Sequence, residues 1–308
     1  MSFDARSCKL ASPPRKMNAA IAVSDTDLAH WRGWVGRTEQ RSDRVRGEAL
    51  DGLSATLDRD DPPARPGDPA PPLAHWLFFT PLARQSELGP DGHPRRGGFL
   101  PPIPLPRRMW AGGRLQFHDA LRVGDEVVRM SRIASVDAKS GKSGMLAFVT
   151  VRHEITSPRG LGIVEEHDIV YRDAPRPGAL AAVPPAAPTD EAFARTITPD
   201  PVLLFRYSAL TFNGHRIHYD LRYVTEVEGY PGLVVHGPLI ATLLVDLLRR
   251  QRPAAQVKRF AFTAKSPLFD LRRFDVCGRF DGSGERSAVL WARNHAGALA
   301  MQASAELA

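Results

Sequence analysis

Cysteine is scarce in this chain of 308 residues, which holds only Cys8 and Cys277. Two thiols cannot build a disulfide framework, and a reducing compartment fits. No stretch approaches the ~20 consecutive apolar residues of a membrane-spanning helix. The first 17 residues (MSFDARSCKLASPPRKM) also lack the apolar run of a secretory signal. Residues 1–19 therefore read as a disordered extension, and a cytoplasmic location is expected, with no membrane partner. Lysine is rare, and the net charge of +7 comes from arginines spread along the chain. No Lys/Arg-rich run interleaved with aromatics stands out, which argues against nucleic acid as a partner. A phosphate-bearing small molecule would account for part of the surplus.

Several catalytic signatures are missing too. There is no GxSxG elbow, and neither cysteine lies near a histidine in sequence, which counts against nucleophilic catalysis. The HxxxH zinc spacing on a helix is absent, and no cysteine joins the histidines of residues 215–220, so no metal is expected.

What is present is pattern. Residues 41–57 set Val45, Ala49, Leu53 and Leu57 at helical spacing. Residues 58–72 are rich in Pro and Asp and read as a loop, and the short apolar run 73–80 (LAHWLFFT) predicts a buried strand. Glycine and proline break any regular pattern from Pro81 to Gly113. Phe99, Leu100, Ile103, Leu105, Met109 and Trp110 within that segment predict an ordered, packed loop. Between Arg114 and Arg172 four alternating stretches predict strands joined by hairpin turns. A Pro- and Ala-rich linker is expected over 174–196. The plan then recurs with different residues: a helix over 237–251, with Pro238 in its first turn and Pro253 past its end, and strands at 257–264, 274–280, 287–293 and 297–305. Each half is one helix plus an antiparallel sheet, an α+β plan.

Chemistry concentrates in YSALTFNGHRIHYD (207–220) and GYPGLVVHGPLIATLL (229–244). The first offers Asn213, His215, His218, Tyr219 and Asp220 within eight positions. The second puts His236 and Gly237 at the entrance of an apolar helix, where free N–H groups and the positive dipole end can hold a developing oxyanion. Taken singly, each residue has a plainer reading: His218 as a hydrogen-bonded structural histidine, His215 and Asp220 as supporting or surface groups, His236 as a cap, Gly237 as a packing glycine.

Three stretches, GPDGHPRRGGFLPPIPLPRRMWAGG (89–113), RYSALTFNGHRIHYD (206–220) and GLVVHGP (232–238), together resemble the MaoC-like, R-specific enoyl-CoA hydratase superfamily. They are most similar to its fused branch, which contains 3-methylfumaryl-CoA (mesaconyl-C4-CoA) hydratases and 3-hydroxyacyl-thioester dehydratases type 2. The resemblance implies a double hotdog fold, two antiparallel sheets each wrapping a central helix and fused as a pseudo-dimer. Residues 20–173 would form a non-catalytic N-terminal unit carrying a substrate-binding loop over 89–113, and residues 197–308 the catalytic unit.

It also implies a reaction. Reversible hydration of an α,β-unsaturated CoA thioester is expected, with a branched C5 dicarboxylic acyl group such as mesaconyl-C4 or itaconyl. Straight-chain 3-hydroxyacyl dehydration, thioester hydrolysis and non-catalytic acyl-CoA binding are the alternatives. His218 takes the place of the family's base and Asn213 that of its partner, where single-unit hydratases have Asp. Asn orients a water but cannot accept its proton, so His218 becomes the main base. The Gly237 N–H is the expected oxyanion donor. Tyr207, His215, Arg216, Asp220, His236 and Trp110 are candidate substrate contacts. Arg206, Arg216, Arg222, Arg107 and Arg108 are candidates for a distal carboxylate, and Lys265, Arg272 and Arg273 for the CoA phosphates. No cofactor is expected, CoA being part of the substrate, and a homodimer is the expected assembly if the fused unit pairs at all. Deleting 95–106 is expected to impair substrate affinity more than folding.

Overall fold

The computed structural model describes residues 24–141, 144–173, 183–282 and 284–308. The expected extension (1–19), Cys8 and the first part of the linker (174–182) lie outside the described residues.

The described residues form ten strands, most of them on alternating apolar positions: β1 (Thr38–Arg44), β2 (Arg107–Phe117), β3 (Glu126–Gly141), β4 (Gly144–Ser157), β5 (Gly160–Arg172), β6 (Phe193–Ile197), β7 (Val257–Ala264), β8 (Phe274–Asp281), β9 (Ser287–Asn294) and β10 (Leu299–Leu307). They pair antiparallel in one sheet, in the order β1-β3-β4-β5-β2-β7-β10-β9-β8-β6. The five strands of the first half thus join the five of the second through β2 and β7, from Gly112 opposite Thr263 to Gln116 opposite Arg259. A side chain at Gly112 or Gly113 would run into Phe262, so glycine is what lets the two halves approach there.

Four α-helices accompany the sheet: α1 (Asp25–Arg32), α2 (Gly47–Thr56), α3 (Pro201–Thr211) and α4 (Gly237–Gln251). Every residue of α4 from Leu239 to Leu248 is buried, as its near-continuous apolar face requires. The one acid on that face, Asp246, is neutralised by Arg59 from the first half (2.6 Å), by Arg195 and by Arg250. Among the described residues no helix is long and apolar enough to cross a membrane.

Several expectations needed correction. The helix expected over 41–57 starts at Gly47, and residues 38–44 form the edge strand β1, whose sequence TEQRSDR has no apolar period to reveal it. Residues 73–80 are buried as expected but are not a strand. Ala74–Leu77 form a 3₁₀ turn between Leu73 and Phe79, both left-handed at φ 71° and 56°. Residues 107–113 belong to β2 rather than to a loop, and 193–196 belong to β6 rather than to a linker. The remaining loop is not a detachable cover. Ile103 and Leu105 are fully buried in the core against Tyr171 and Ile133, and Arg96 ties their carbonyls together. Each such side chain contributes roughly 1.5–3 kcal/mol. Deleting 95–106 would therefore remove part of the core, which runs against the expectation that substrate affinity would suffer more than folding.

Candidate active site

Helix α3 was not anticipated, although Asp200 followed by Pro201 is a start signal: the Asp200 carboxylate accepts from the Leu203 N–H at 2.7 Å. The helix ends on Phe212, left-handed at φ 50°, which turns the chain into the loop 213–220. Asn213 Oδ1 accepts from the His215 N–H at 3.0 Å, a local turn that keeps one oxygen lone pair and the amide NH₂ free.

His218 follows in a short 3₁₀ turn and is buried. Its Nδ1–H donates to the Val234 carbonyl at 2.7 Å, which sets the tautomer and leaves the Nε2 lone pair bare. His236 stacks flat on His218, ring centroids 3.6 Å apart and 18° between planes. From behind, His236 Nε2 hydrogen-bonds the Ser208 hydroxyl at 2.8 Å, and Tyr207 lies edge-on to it at 5.1 Å. The stack places His218 beside the start of α4, because His236 is the residue before Gly237. Ile240 N–H is the first to bond within that helix, to the His236 carbonyl, so the Gly237 and Leu239 N–H groups have no intrahelical acceptor. An imidazole lone pair and a helix N-terminus thus meet in one buried site.

Burial keeps these rings neutral. Desolvation lowers His218 to about 4, against a weaker upward pull from the Val234 carbonyl, and lowers His215 to about 2 and His236 well below the ordinary value. A neutral His218 is a base ready to take a proton throughout the neutral range.

The first half of the chain reaches into this site. Residues 89–93 dock on the loop 213–216: the Asp91 carbonyl accepts from the Arg216 N–H and the Pro90 carbonyl from its guanidinium, both at 2.9 Å. His93 lies over His215 with centroids 4.1 Å apart, and its Nδ1 pairs with Asp91 Oδ2 at 3.1 Å. Asp91, His93 and His215 bring one potential ligand atom each within 4.8 Å of one another. Sequence reasoning does not find that grouping, because His215 is more than a hundred residues away from Asp91 and His93. The Arg108 guanidinium presses on both imidazoles, which favours an anion over a cation there.

Other candidates are placed differently. Arg216 pairs with Asp220 (2.7 Å) and lies over Tyr223, while Asp220 also caps the Tyr223 N–H; both hold the loop together. Tyr207 is core, 2% exposed. Trp110 sits between His167 (3.9 Å) and Trp76 (4.8 Å). Arg107 is paired with Glu228, and Arg222 with Glu226. Arg206, Lys265, Arg272 and Arg273 are exposed.

Sequence reasoning also missed a polar row inside the first half. Ser131, His153 and Glu165 face one another across β3, β4 and β5, on the apolar face of the sheet. The Glu165 carboxylate accepts from His75 Nε2 and from the Trp76 indole, both at 3.0 Å. Burial opposes its ionisation, but the His75 bond and neighbouring imidazole charges prevail and the group titrates at about 2. Desolvation lowers His153 to about 3 and His167 to about 4.

A steep acid instability follows. His153, His167, His215 and His218 stay neutral in the fold, whereas in the unfolded chain they bind protons below the ordinary 6.5. Because the folded values are depressed, this stability is complete above 6.5 and is lost as the pH falls towards 4. Each neutral histidine loses up to roughly 1.4 kcal/mol per pH unit. Urea melts at pH about 7.5 and about 5 should differ by several kcal/mol, roughly four histidines' worth; a flat profile would contradict the buried, neutral assignments.

Comparison with known proteins finds a family and a fold. The family model for hydroxyacyl-thioester dehydratase type 2 matches residues 73–270. A mesaconyl-C(4)-CoA hydratase of Chloroflexus aurantiacus is 48% identical over 282 residues, spanning 91% of this chain and 98% of that protein. The mitochondrial hydroxyacyl-thioester dehydratase type 2 of Schizosaccharomyces pombe is 31% identical over 67% of this chain and 76% of its own length. Among solved structures, a MaoC-like dehydratase superposes with TM-score 0.68 at 15% identity, covering 90% of this chain and all but 1% of that one. A Mycobacterium tuberculosis protein with a double hotdog fold does so at 0.55 and 14% identity, over 89% and 96%. The fold is the expected double hotdog.

Proposed function

We propose that this chain, which belongs to the hydroxyacyl-thioester dehydratase type 2 family, uses His218 as its single acid–base group to add water reversibly across the double bond of a CoA thioester. Hydro-lyase chemistry is the family's activity. The observation that carries the mechanism is His218 itself, its Nδ1–H tied to the Val234 carbonyl and its Nε2 bare beside the start of α4.

In the hydration direction Nε2 takes a proton from a water as its oxygen attacks the β-carbon. Asn213 orients that water and takes no proton. Negative charge moves to the thioester oxygen, where the free N–H groups at Gly237 and the helix dipole stabilise it. Protonated His218, unfavourable in its buried site, then gives the proton to the α-carbon. No metal and no separate cofactor enters, and CoA leaves with the product.

For the acyl group, the strongest support is the relative named for mesaconyl-C4-CoA, a branched dicarboxylic thioester. A straight-chain 3-hydroxyacyl thioester is the second reading, supported by the yeast relative's name. The expected setting is cytoplasmic, with the fused unit complete as a monomer and able to pair as a homodimer.

The test is loss of conjugated-thioester absorbance with mesaconyl-C4-CoA and crotonyl-CoA side by side, with free thiol followed in parallel. Faster loss with mesaconyl-C4-CoA and no thiol release is expected. Preference for crotonyl-CoA would move the enzyme to straight-chain acyl groups, release of thiol would make it a thioesterase, and binding without turnover would make it an acyl-CoA carrier.

A further inference from the structure

Successive residues of a strand face opposite sides of the sheet, so Arg107 and Arg108 at the start of β2 serve different environments. Arg107 is committed: its Nε lies 3.2 Å from Glu228 Oε2, and its guanidinium lies over the Tyr230 ring at 5.1 Å. Arg108 faces the other way, directly across the ladder from Tyr171. It is half-buried, and among the described residues no carboxylate pairs with it.

Its surroundings add positive charge instead of cancelling it. The Arg96 guanidinium lies 5.6 Å over the Tyr171 ring, held by the Ile103 and Pro106 carbonyls rather than by an acid. The Tyr171 hydroxyl is fully buried, with the Arg108 guanidinium beside it and no acceptor for its own proton. Asp91, an acid that acts on Arg96, is already engaged by His93. A half-buried guanidinium without a counter-ion, beside an orphaned hydroxyl donor, is an unfavourable arrangement unless an anion joins it.

The place of this charge fits the reaction. His93 lies over His215, and His215 meets His218 edge-on with centroids 5.4 Å apart. His93 and His215 both feel the Arg108 charge, so Arg108 lies on the side of the site to which this row of rings leads. An acyl group that runs along this row from His218 leads towards that charge.

We propose that Arg108, with the Tyr171 hydroxyl beside it and Arg96 behind, receives the free carboxylate of a dicarboxylic acyl thioester. Arginine suits the task, since its planar fork matches a carboxylate with two parallel hydrogen bonds. The assignment rests on the acyl-thioester reading of the site, and it deepens it: the enzyme selects acyl groups that carry a carboxylate on the β-carbon, and it does so with a residue of the half that lacks the base.

The experiment is calorimetric titration with two inert analogues, succinyl-CoA and butyryl-CoA, which differ in that carboxylate and share all of CoA. Wild type should bind succinyl-CoA tighter by roughly tenfold to a hundredfold, the range of a charge-assisted hydrogen bond. Arg108→Gln should lose that preference while holding butyryl-CoA within about threefold of wild type. Arg108→Lys should keep part of it. Equal affinity of the wild type for the two analogues would overturn the proposal, as would a preference that survives in Arg108→Gln. Equal weakening of both analogues in that variant would overturn it as well, placing Arg108 on the CoA phosphates or in the scaffold. Because these affinities need no turnover, an enzyme that binds succinyl-CoA through Arg108 yet hydrates nothing would sink the hydratase mechanism and leave the receptor standing.

Discussion

His218→Ala should lower kcat for hydration by about a thousandfold or more, near the top of the range for a general acid–base group. The size follows from the division of labour. Asn213 cannot take a proton, His215 is tied into the loop through its N–H and lies under His93, and His236 is committed to Ser208. No neighbour is placed to substitute. The fold should survive, because α4 and both halves of the sheet retain their packing. The buried Val234 carbonyl loses its donor, which costs roughly 1–3 kcal/mol. His218→Gln keeps the volume and supplies an N–H for that carbonyl, so it separates chemistry from stability: it should be as inactive and more stable. A loss below tenfold in both variants would remove His218 from the role. Burial holds the base at about 4, and it works unprotonated. The rate should therefore show no histidine limb near 6.5 and should fall only as the pH nears the acid unfolding region.

The second large effect is expected at Gly92→Ala, in the half of the chain that carries no base. Gly92 is left-handed at φ 87°, and an added Cβ would land on the Gly214 carbonyl oxygen. Backbone cannot yield as a flexible side chain can, so the loop 89–93 must lift away from the loop 213–216. With it go the hydrogen bonds that Asp91 and Pro90 accept from Arg216, and the cover of His93 over His215. A stability loss of about 2–4 kcal/mol is expected from overpacking plus strain. A fall of roughly a hundredfold in kcat/KM is expected from displacement of the catalytic loop. Gly97→Ala is the control: the same loop and nearly the same φ, 91°, but its nearest neighbour is a proline side-chain carbon at 3.7 Å. It should lose about 1 kcal/mol to strain and little activity. If Gly92→Ala behaves like Gly97→Ala, the two halves do not depend on each other through this contact.

These two predictions show which parts of the molecule its sequence made readable. The strands from Arg114 to Arg172 and α4 announce themselves, because burial on one face forces a period on the residues. β1 does not, because its half-buried face is filled by Glu39, Arg41 and Asp43, so no apolar period marks it. Residues 73–80 were legible as buried but not as a turn, since Leu73 and Phe79 adopt left-handed backbone that apolar residues rarely take. α3 had a readable start in Asp200-Pro201, and a Gly or Asn at its end would have made the other boundary visible; Phe212 hid it.

The site divides in the same way. His218, Asn213, His236 and Gly237 lie within two short stretches, so their neighbourhood shows in one dimension. His93 and Arg108 are more than a hundred residues away from His218, and only the pairing of β2 with β7 and the docking of the loop 89–93 bring them near it. The Glu165 row was invisible for another reason. Its members alternate correctly with apolar residues along their strands, and only cross-strand register shows that they face inward together.

The account stands on one imidazole handling the proton in both directions, and the stereochemistry of the product tests that directly. A single base that takes a proton from the attacking water and returns it to the α-carbon must work on one face of the double bond. Hydration run in deuterated water, with the hydroxyacyl product read by proton NMR, should give one deuterium at the α-carbon in a single diastereomer, the one from syn addition. Anti addition, or deuterium spread over both positions under single-turnover conditions, would require a second proton donor facing His218 and would contradict the account.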